Sequence, residues 1–196
     1  FLVLLQRYIF FTKEKNTTIN NFVFHTICIT FARKKKNHHH MKEKLTIVKV
    51  GGAVVEDEEQ LEQLLRDFIA IDGPKILVHG GGRRATKVAE ALGIETKMVE
   101  GRRITDAAML EVVTMVYGGL VNKHIVASLQ ALGADAIGLT GADADILRSV
   151  KRPLKNGIDY GFVGDVKKAN GTKIAHFIEA GLIPVIAPLT HDGQGT

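Results

Sequence analysis

Residues 75–82, "KILVHGGG", are the stretch from which the fold of the whole sequence follows. The apolar run at 76–78 predicts a short buried strand, which ends in three consecutive glycines at 80–82. A helical pattern of apolar residues begins directly afterwards. A strand, a glycine-rich turn and a helix start present backbone N–H groups at the positive end of a helix dipole. We therefore predict that residues 80–83 hold a phosphate or a carboxylate, because glycine has no side chain to keep an anion away.

A second strand with a glycine turn precedes this one. Residues 45–50, "LTIVKV", predict a strand that runs into Gly51 and Gly52. Lys49 is unusual in it, because a lysine in an apolar strand is costly to bury without an anionic partner. It is either an edge lysine that reaches solvent or a cation for a bound anion. The two glycines and the helix that follow favour the second interpretation.

The two strands form a β-α-β unit. A helix with apolar residues on one face covers residues 61–69 and stops at Gly73 and Pro74. Such a unit requires a right-handed crossover and parallel strands. Both glycine turns then open at the same carboxyl edge of the sheet, which is where open α/β sheets bind ligands.

The later pattern continues this α/β organisation. It predicts a hairpin at 97–105, a long helix at 107–132, a third strand at 135–139, an antiparallel hairpin with polar faces at 146–166 that resembles a lid, a helix at 171–180 and a fourth strand at 182–187. The apolar stripe predicted for the long helix consists of Leu110, Val113, Tyr117, Leu120, Val121, Ile125, Ser128 and Leu132. Gly118 and Gly119 interrupt this helix, and close packing against another element would offset their cost.

The charge of the chain is divided unevenly. Residues 1–40 hold seven of the 26 lysines and arginines and one of the 21 acidic residues, so residues 41–196 hold 19 basic against 20 acidic residues, a charge of −1. This balance argues against a nucleic-acid or membrane partner for the main body. The one cysteine, Cys28, precedes the body, which is consistent with a reducing, cytoplasmic location.

Residues 1–40 are interpreted as a non-native or disordered leader, either a translated upstream segment or an expression remnant. Three histidines at 38–40 indicate a remnant tag. The basic run at 33–36 is either a solvated tail or a nucleic-acid contact, and the tail is favoured. Residues 41–196 then form one body with enough chain for a single core.

Several polar residues have two interpretations. His79 is either a general base or a residue that orients the glycine turn through a backbone hydrogen bond, and the second is favoured. Asn122 and Lys123 are expected to be solvent-exposed with one side-chain hydrogen bond. Asp143 and Asp145 are spaced like metal ligands, but the rest of a calcium loop is missing and turn acids are favoured.

Four short motifs, together with "GFVGDV" at 161–166 and "LIPVIAP" at 182–188, form an ordered series. In this order and at these spacings they resemble the N-acetylglutamate kinases, a branch of the amino-acid kinase family, from about residue 45 to 196. The resemblance implies a three-layer αβα sandwich with a mainly parallel central sheet and a small β-hairpin lid. The motifs are Lys49-Val50-Gly51-Gly52, His79-Gly80-Gly81-Gly82, Gly101-Arg102-Arg103-Ile104-Thr105 and Gly119-Leu120-Val121-Asn122-Lys123.

The resemblance also implies a reaction and its residues: ATP-dependent phosphorylation of the γ-carboxylate of an N-acylated glutamate, in arginine biosynthesis. Lys49 would neutralise charge on the transferred phosphoryl group, and Gly51 and Gly52 would line the phosphate side. The amides of Gly81 and Gly82 would hold the substrate carboxylate, and Arg103 would grip the α-carboxylate. Magnesium would arrive with ATP, and a homodimer or higher homo-oligomer is implied.

The resemblance further implies that the ATP-binding half of the family, with an Asn-x-Asn-Ala-Asp segment and a second lysine, lies beyond residue 196. The 196-residue chain is therefore expected to be inactive alone. Two alternatives stay open: another amino-acid or carbamate kinase of the family, and a non-catalytic module that binds an anion or amino acid. The choice between an acetyl and a succinyl group also stays open.

Overall fold

The computed structural model describes residues 44–196 and the backbone of three short strands, β1 (Thr18–Ile19), β2 (Phe22–Val23) and β3 (Ile27–Thr30). The rest of the predicted leader, with the basic run and the three histidines, lies outside the described residues. The division of the chain at residue 41 stays a prediction.

Residues 44–196 alternate between strands and helices, as the pattern predicts. The first half contains β4 (Lys44–Val50), α1 (Gly52–Val55), α2 (Glu58–Ile69), β5 (Lys75–His79), α3 (Gly82–Ala91), β6 (Lys97–Val99) and β7 (Arg102–Ile104). The second half contains α4 (Ala107–Val113), a π-helical segment (Thr114–Val121), α5 (Asn122–Ala131), β8 (Ala136–Leu139), β9 (Leu147–Lys151), β10 (Gly164–Ala169), α6 (Gly171–Glu179) and β11 (Ile183–Ile186). The four predicted strands, the two hairpins and the long helical run are confirmed.

The central sheet has the strand order β3-β4-β5-β11-β8, and its last four strands are parallel. The chain moves along the sheet from β4 to β5 to β8 and then steps back to β11. Right-handed crossovers require that this change of direction place the connecting helices on opposite faces. Helices α1 to α5 cover one face and α6 covers the other, which confirms the predicted αβα sandwich.

Each face of the sheet has its own apolar core. The first core joins β4, β5 and β11 to α2, α3 and the long helical run, with Leu65, Leu77 and Ile125 fully buried. The second core lies under α6 and the β9–β10 hairpin. The prediction of polar faces for that hairpin is wrong: Leu147 and Val166 are buried in the second core. The sequence pattern did not indicate this burial, because a long polar connection separates the two inward-facing apolar residues.

The long helical run is continuous from 107 to 131 but contains eight residues of π-helix, and these change which residues are buried. A π-helix bonds each residue to the fifth one along, so its turn contains more residues than an α-turn. The buried stripe therefore steps from Val116 to Val121. Leu120, predicted to lie on the stripe, is 50 % exposed, and Asn122 is buried instead.

In residues 44–196, one helical run, Ala107–Ala131, has the length and composition that a membrane crossing requires. Val112, Ile125 and Leu129 in this run have no exposed surface and pack in the first core. The run is therefore a core helix of the sandwich. Gly118 packs closely against Thr140 and Leu189, as expected for a glycine in its middle.

Candidate active site

The two glycine turns lie side by side at the carboxyl edge of the sheet. Strands β4 and β5 are paired in parallel with Val50 opposite His79, and the Gly80 amide donates to Val50 O at 3.0 Å. A β-carbon on Gly80 would lie 3.2 Å from the Gly52 nitrogen. The backbones of the two turns are therefore in direct contact, and the crossover that the sequence predicted has brought them together.

Two backbone amide nitrogens lie close to Gly52. A β-carbon on Gly52 would lie 3.4 Å from the nitrogen of Gly82 and 3.5 Å from that of Gly81. In the described part of the chain, neither amide has a hydrogen-bond acceptor. Gly82 is also the first residue of α3, whose dipole is positive at this end. Two unpaired N–H groups at such a helix start form a cradle for an anion.

Lys49 lies at the carboxyl end of β4, two residues before Gly51. Its neighbours Val48 and Val50 are buried in the first core, so alternation along the strand directs Lys49 to the opposite face. Its side chain is exposed and has no hydrogen bond or ion pair within residues 44–196. Lys49 is thus an exposed cation near the carboxyl end of β4 that pairs with no side chain in residues 44–196.

Arg103 connects the β6–β7 hairpin to the start of α3. Its Nη2 donates to Gly82 O at 2.9 Å and to Thr86 Oγ1 at 2.8 Å, and its Nη1 donates to Thr96 Oγ1 at 3.3 Å. Arg103 is half-buried, whereas its neighbour Arg102 is exposed. Neighbouring residues of a strand face opposite sides, so only one arginine of the pair faces inward. The guanidinium therefore already donates to protein acceptors at the start of α3 and before β6.

Tyr117, from the π-helical segment, packs against the second glycine turn. A β-carbon on Gly81 would lie 2.9 Å from Tyr117 Cδ1, so any larger residue at 81 would displace the ring. Burial raises the pKa of Tyr117, and a hydrogen bond and positive charge from Arg103 partly offset this. The hydroxyl therefore stays neutral and links Arg103 to the turn.

His79 and Asn122 form a buried polar network beneath the turn, with exposed fractions of 2 % and 1 %. His79 Nδ1 lies 2.9 Å from Gly80 O, and His79 Nε2 lies 3.0 Å from Asn122 Nδ2. The Asn122 amide also donates to Val185 O at 3.0 Å. A carbonyl can only accept and an amide nitrogen can only donate, so the proton of the ring is on Nδ1. Burial lowers the pKa of His79, and the bond to Gly80 opposes this in part, which agrees with a neutral ring.

Gly138 of β8 makes room for this network. A β-carbon there would collide with Asn122 Oδ1 and would lie 2.7 Å from Lys123 Nζ. Lys123 Nζ donates to Asn122 Oδ1 at 3.2 Å and to Gly138 O at 3.1 Å. The glycine thus lets the two side chains reach the sheet backbone.

A sequence model of the amino acid kinase family matches residues 44–196, which is the whole of the continuous part just described. The chain belongs to the amino acid kinase family. Its curated relatives include the acetylglutamate kinases of Bacteroides thetaiotaomicron (67 % identical over 150 residues) and Phocaeicola vulgatus (68 % over 151 residues). These matches cover 76 % and 77 % of this chain and 58 % of each relative, so the chain spans less than two thirds of their length.

A solved structure shares the amino acid kinase fold of this chain. N-acetylglutamate synthase from Neisseria gonorrhoeae, complexed with coenzyme A and N-acetyl-glutamate, superposes with a TM-score of 0.65 at 22 % identity, over 78 % of this chain and 35 % of that one. At this identity the likeness supports the fold alone.

The structure confirms some of the predictions made for the motif residues and contradicts one of them. The predicted glycine turns meet at one edge, and Arg103 reaches Gly82. The turn-orienting interpretation of His79 is confirmed by its bond to Gly80. The expectation that Asn122 is solvent-exposed is wrong, because the π-helical segment rotates it into the core. The one available signal was the glycine pair that precedes it, which is unusual inside a helix.

The two spaced aspartates of this family member are turn acids, as the sequence favoured. Asp143 Oδ2 accepts from the Thr140 hydroxyl at 2.8 Å. Asp145 forms ion pairs with Arg148 and Lys168, and its Oδ1 lies 2.9 Å from His191 Nε2. Partial burial acts to raise the pKa of Asp145, but the hydrogen bonds from these three partners outweigh it and hold the pKa below its usual value. Residues 44–196 contain no group of three or more His, Cys, Asp or Glu side chains arranged for a metal.

Proposed function

We propose that this chain is the N-acylglutamate-binding part of an acetylglutamate kinase, which phosphorylates the γ-carboxylate of N-acetyl-L-glutamate or a close N-acyl analogue with ATP, in arginine biosynthesis. The observation that carries the proposal is the pair of unpaired amides of Gly81 and Gly82 beside Gly52. The names of the curated relatives support it independently.

The two anions of the reaction would meet at the two turns. The amides of Gly81 and Gly82 hold the γ-carboxylate, whose oxygen attacks the γ-phosphorus of ATP. The bond from that phosphorus to the bridging oxygen breaks, giving an acyl phosphate and ADP. Gly51 and Gly52 line the side of the site that receives the phosphates of ATP. Lys49 neutralises charge on the phosphoryl group during its transfer. Positioning and charge cancellation suffice for such a transfer, with no covalent enzyme intermediate.

Arg103 is proposed to bind the α-carboxylate of the substrate, since a guanidinium forms two parallel bonds to a carboxylate. Its present acceptors are Gly82 O and the hydroxyls of Thr86 and Thr96. Binding therefore exchanges hydroxyl acceptors for a charged one. Magnesium enters as Mg·ATP, bound to the phosphates of the co-substrate.

We also propose that two copies of the chain associate through the long helical run and that the protein works in the cytoplasm. Met115 and Leu120 on that run are 55 % and 50 % exposed, and they are apolar side chains that a second copy would cover. Changing both to glutamate is expected to abolish a dimer measured by light scattering. An unchanged molar mass would contradict this contact.

The activity is tested in a chimera that joins residues 44–196 to the remaining C-terminal part of the Bacteroides thetaiotaomicron acetylglutamate kinase. The chimera is given ATP with N-acetyl-L-glutamate, N-succinyl-L-glutamate, aspartate or carbamate, and acyl phosphate is trapped as the hydroxamate. Turnover of an N-acylglutamate supports the proposal. Turnover of aspartate or carbamate identifies another kinase of the family, and binding without turnover identifies a non-catalytic module.

A further inference from the structure

We infer that His79 and Asn122 are positioning residues that aim the Gly81 amide into the anion site. The inference rests on the proposed function, because the γ-carboxylate is the group that this amide is proposed to hold. Neither side chain touches that ligand: both are almost fully buried beneath the turn. They act on the peptide group between Gly80 and Gly81.

Peptide geometry connects the ring to the site. The C=O and N–H of a trans peptide lie in one plane and point in opposite directions. His79 Nδ1 donates to Gly80 O at 2.9 Å, so the carbonyl points towards the buried ring. The Gly81 N–H on the same peptide must then point away from the ring. Its nitrogen lies 3.5 Å from where a β-carbon on Gly52 would be, which is the open space of the site.

Three consecutive glycines make such a restraint necessary. Glycine populates backbone conformations that other residues avoid, so the peptide between Gly80 and Gly81 has little intrinsic barrier against flipping. A flipped peptide would present a carbonyl oxygen to the anion instead of an N–H. The hydrogen bond from His79 opposes this flip.

The ring of His79 is itself held in place. Its Nε2 accepts from Asn122 Nδ2, which also donates to Val185 O, and Asn122 Oδ1 accepts from Lys123. Each polar atom in this buried set therefore has a partner, which makes the set rigid. Asn122 thereby connects β11 and the long helical run to the glycine turn.

Two substitutions at position 79 test the roles of Nδ1 and Nε2 separately. In His79→Asn, the amide nitrogen occupies the place of Nδ1 and still donates to Gly80 O. In His79→Gln, the amide reaches the place of Nε2 and leaves Gly80 O without its donor. N-acetyl-L-glutamate is titrated into the ¹⁵N-glycine-labelled 196-residue chain. We expect His79→Asn to bind within about threefold of wild type, and His79→Gln about tenfold more weakly, as for the loss of one hydrogen bond.

Ligand-free spectra make the result independent of the proposed function. If wild type binds no N-acetyl-L-glutamate, the carboxylate assignment fails, yet the Gly81 amide resonance still reports the peptide. A resonance that moves in His79→Gln and stays in His79→Asn supports the inference, and equal movement in both overturns it. His176→Gln, an exposed histidine of α6, is the matched control and should leave Gly81 unchanged.

A further measurement covers the case in which His79→Gln does not fold. The two-bond ¹H–¹⁵N spectrum of the histidine rings reads the tautomer of His79 directly. We expect the proton on Nδ1 in wild type and a mixture of tautomers in Asn122→Ala, where Nε2 has lost its donor. A wild-type ring protonated on Nε2 would overturn the inference.

Discussion

The amide nitrogen of Gly82 lies 3.4 Å from the position that a β-carbon on Gly52 would occupy. These two residues are 30 positions apart in the sequence, and each follows a different strand. Because Gly52 has no side chain, the amides at the start of α3 stay uncovered on the side of the glycine turn at 51–52. The open amides depend on Gly52 having no side chain.

Replacing Gly52 by alanine should therefore block the site without unfolding the chain. The new methyl group would be in ordinary van der Waals contact with both amides, so the free energy of unfolding should change by less than about 1 kcal/mol. We expect the affinity for N-acetyl-L-glutamate, measured by calorimetry, to fall about tenfold or more. Gly171→Ala, at the start of α6 with no atom within 4 Å of the added carbon, is the control. Equal affinity in both variants would contradict the assignment.

Lys49→Met should separate binding from turnover in the chimera. If Lys49 neutralises charge on the transferred phosphoryl group, kcat should fall by about 10² or more. This is the fall typical of removing one electrostatic interaction with the transition state. Affinity for N-acetyl-L-glutamate should change little, because the carboxylate is held by backbone amides. Lys44→Met is the control, since Lys44 is an exposed lysine at the other end of the same strand. An undiminished kcat removes Lys49 from its assigned role.

Arg103→Lys should loosen the β6–β7 hairpin. A lysine cannot bond Gly82 O, Thr86 and Thr96 together, so we expect a loss of about 1–3 kcal/mol in the free energy of unfolding. Hydrogen exchange should accelerate in β6 and β7 before it does in the central sheet. Arg102→Lys, on the exposed side of the same strand, should leave both measurements unchanged. Hairpin exchange that is the same in the two variants would show that Arg103 does not anchor it.

Gly138→Ala should destabilise the fold, although the change adds one methyl group. The new β-carbon would collide with Asn122 Oδ1, so the network around His79 must move, and overpacking of this kind costs about 1–3 kcal/mol. The free energy of urea unfolding measures the loss. Gly119→Ala, which has no atom within 4 Å of the added carbon, should be neutral or stabilising. Equal stability of the two variants would show that the network tolerates the methyl group.

The burial of His79 predicts a pH dependence of stability. Its pKa is lowered in the folded chain, so the unfolded state binds more protons just below the ordinary histidine pKa of about 6.5. The contribution of neutral His79 to the free energy of unfolding is therefore complete above that pH. It is lost as the pH falls towards the pKa of His79 in the folded chain. Urea unfolding at about pH 7.5 and about pH 5.5 should therefore show a smaller loss in His79→Asn than in wild type. His176→Asn should keep the wild-type slope, and an unchanged slope in both variants would contradict the prediction.

Local pattern was sufficient for much of the site. The apolar runs before Gly51 and Gly80 specify strands because a strand between two helical layers buries both of its faces. The β-α-β connection makes the two strands parallel, and this places both turns at one edge without knowledge of any contact. The inward direction of one arginine in the pair at 102 and 103 follows in the same way from strand alternation.

The helical pattern failed where the helix was not an α-helix. An apolar stripe counted at 3.6 residues per turn included Leu120 and left Asn122 outside, and the structure reverses both. Periodicity cannot reveal a π-helical segment, because its extra residue per turn is stabilised by contacts with other elements. One such contact is the close approach of Gly118 to Thr140 and Leu189.

The amino-acid order thus specified the strands, their parallel pairing and the position of the glycine turns, because these follow from short-range sterics and apolar burial. It did not specify the network that holds the second turn. His79, Asn122, Gly138 and Val185 come from four separate segments, and the bonds among them form when the long helical run is packed on the sheet. The direction of the Gly81 amide therefore depends on contacts between distant parts of the chain.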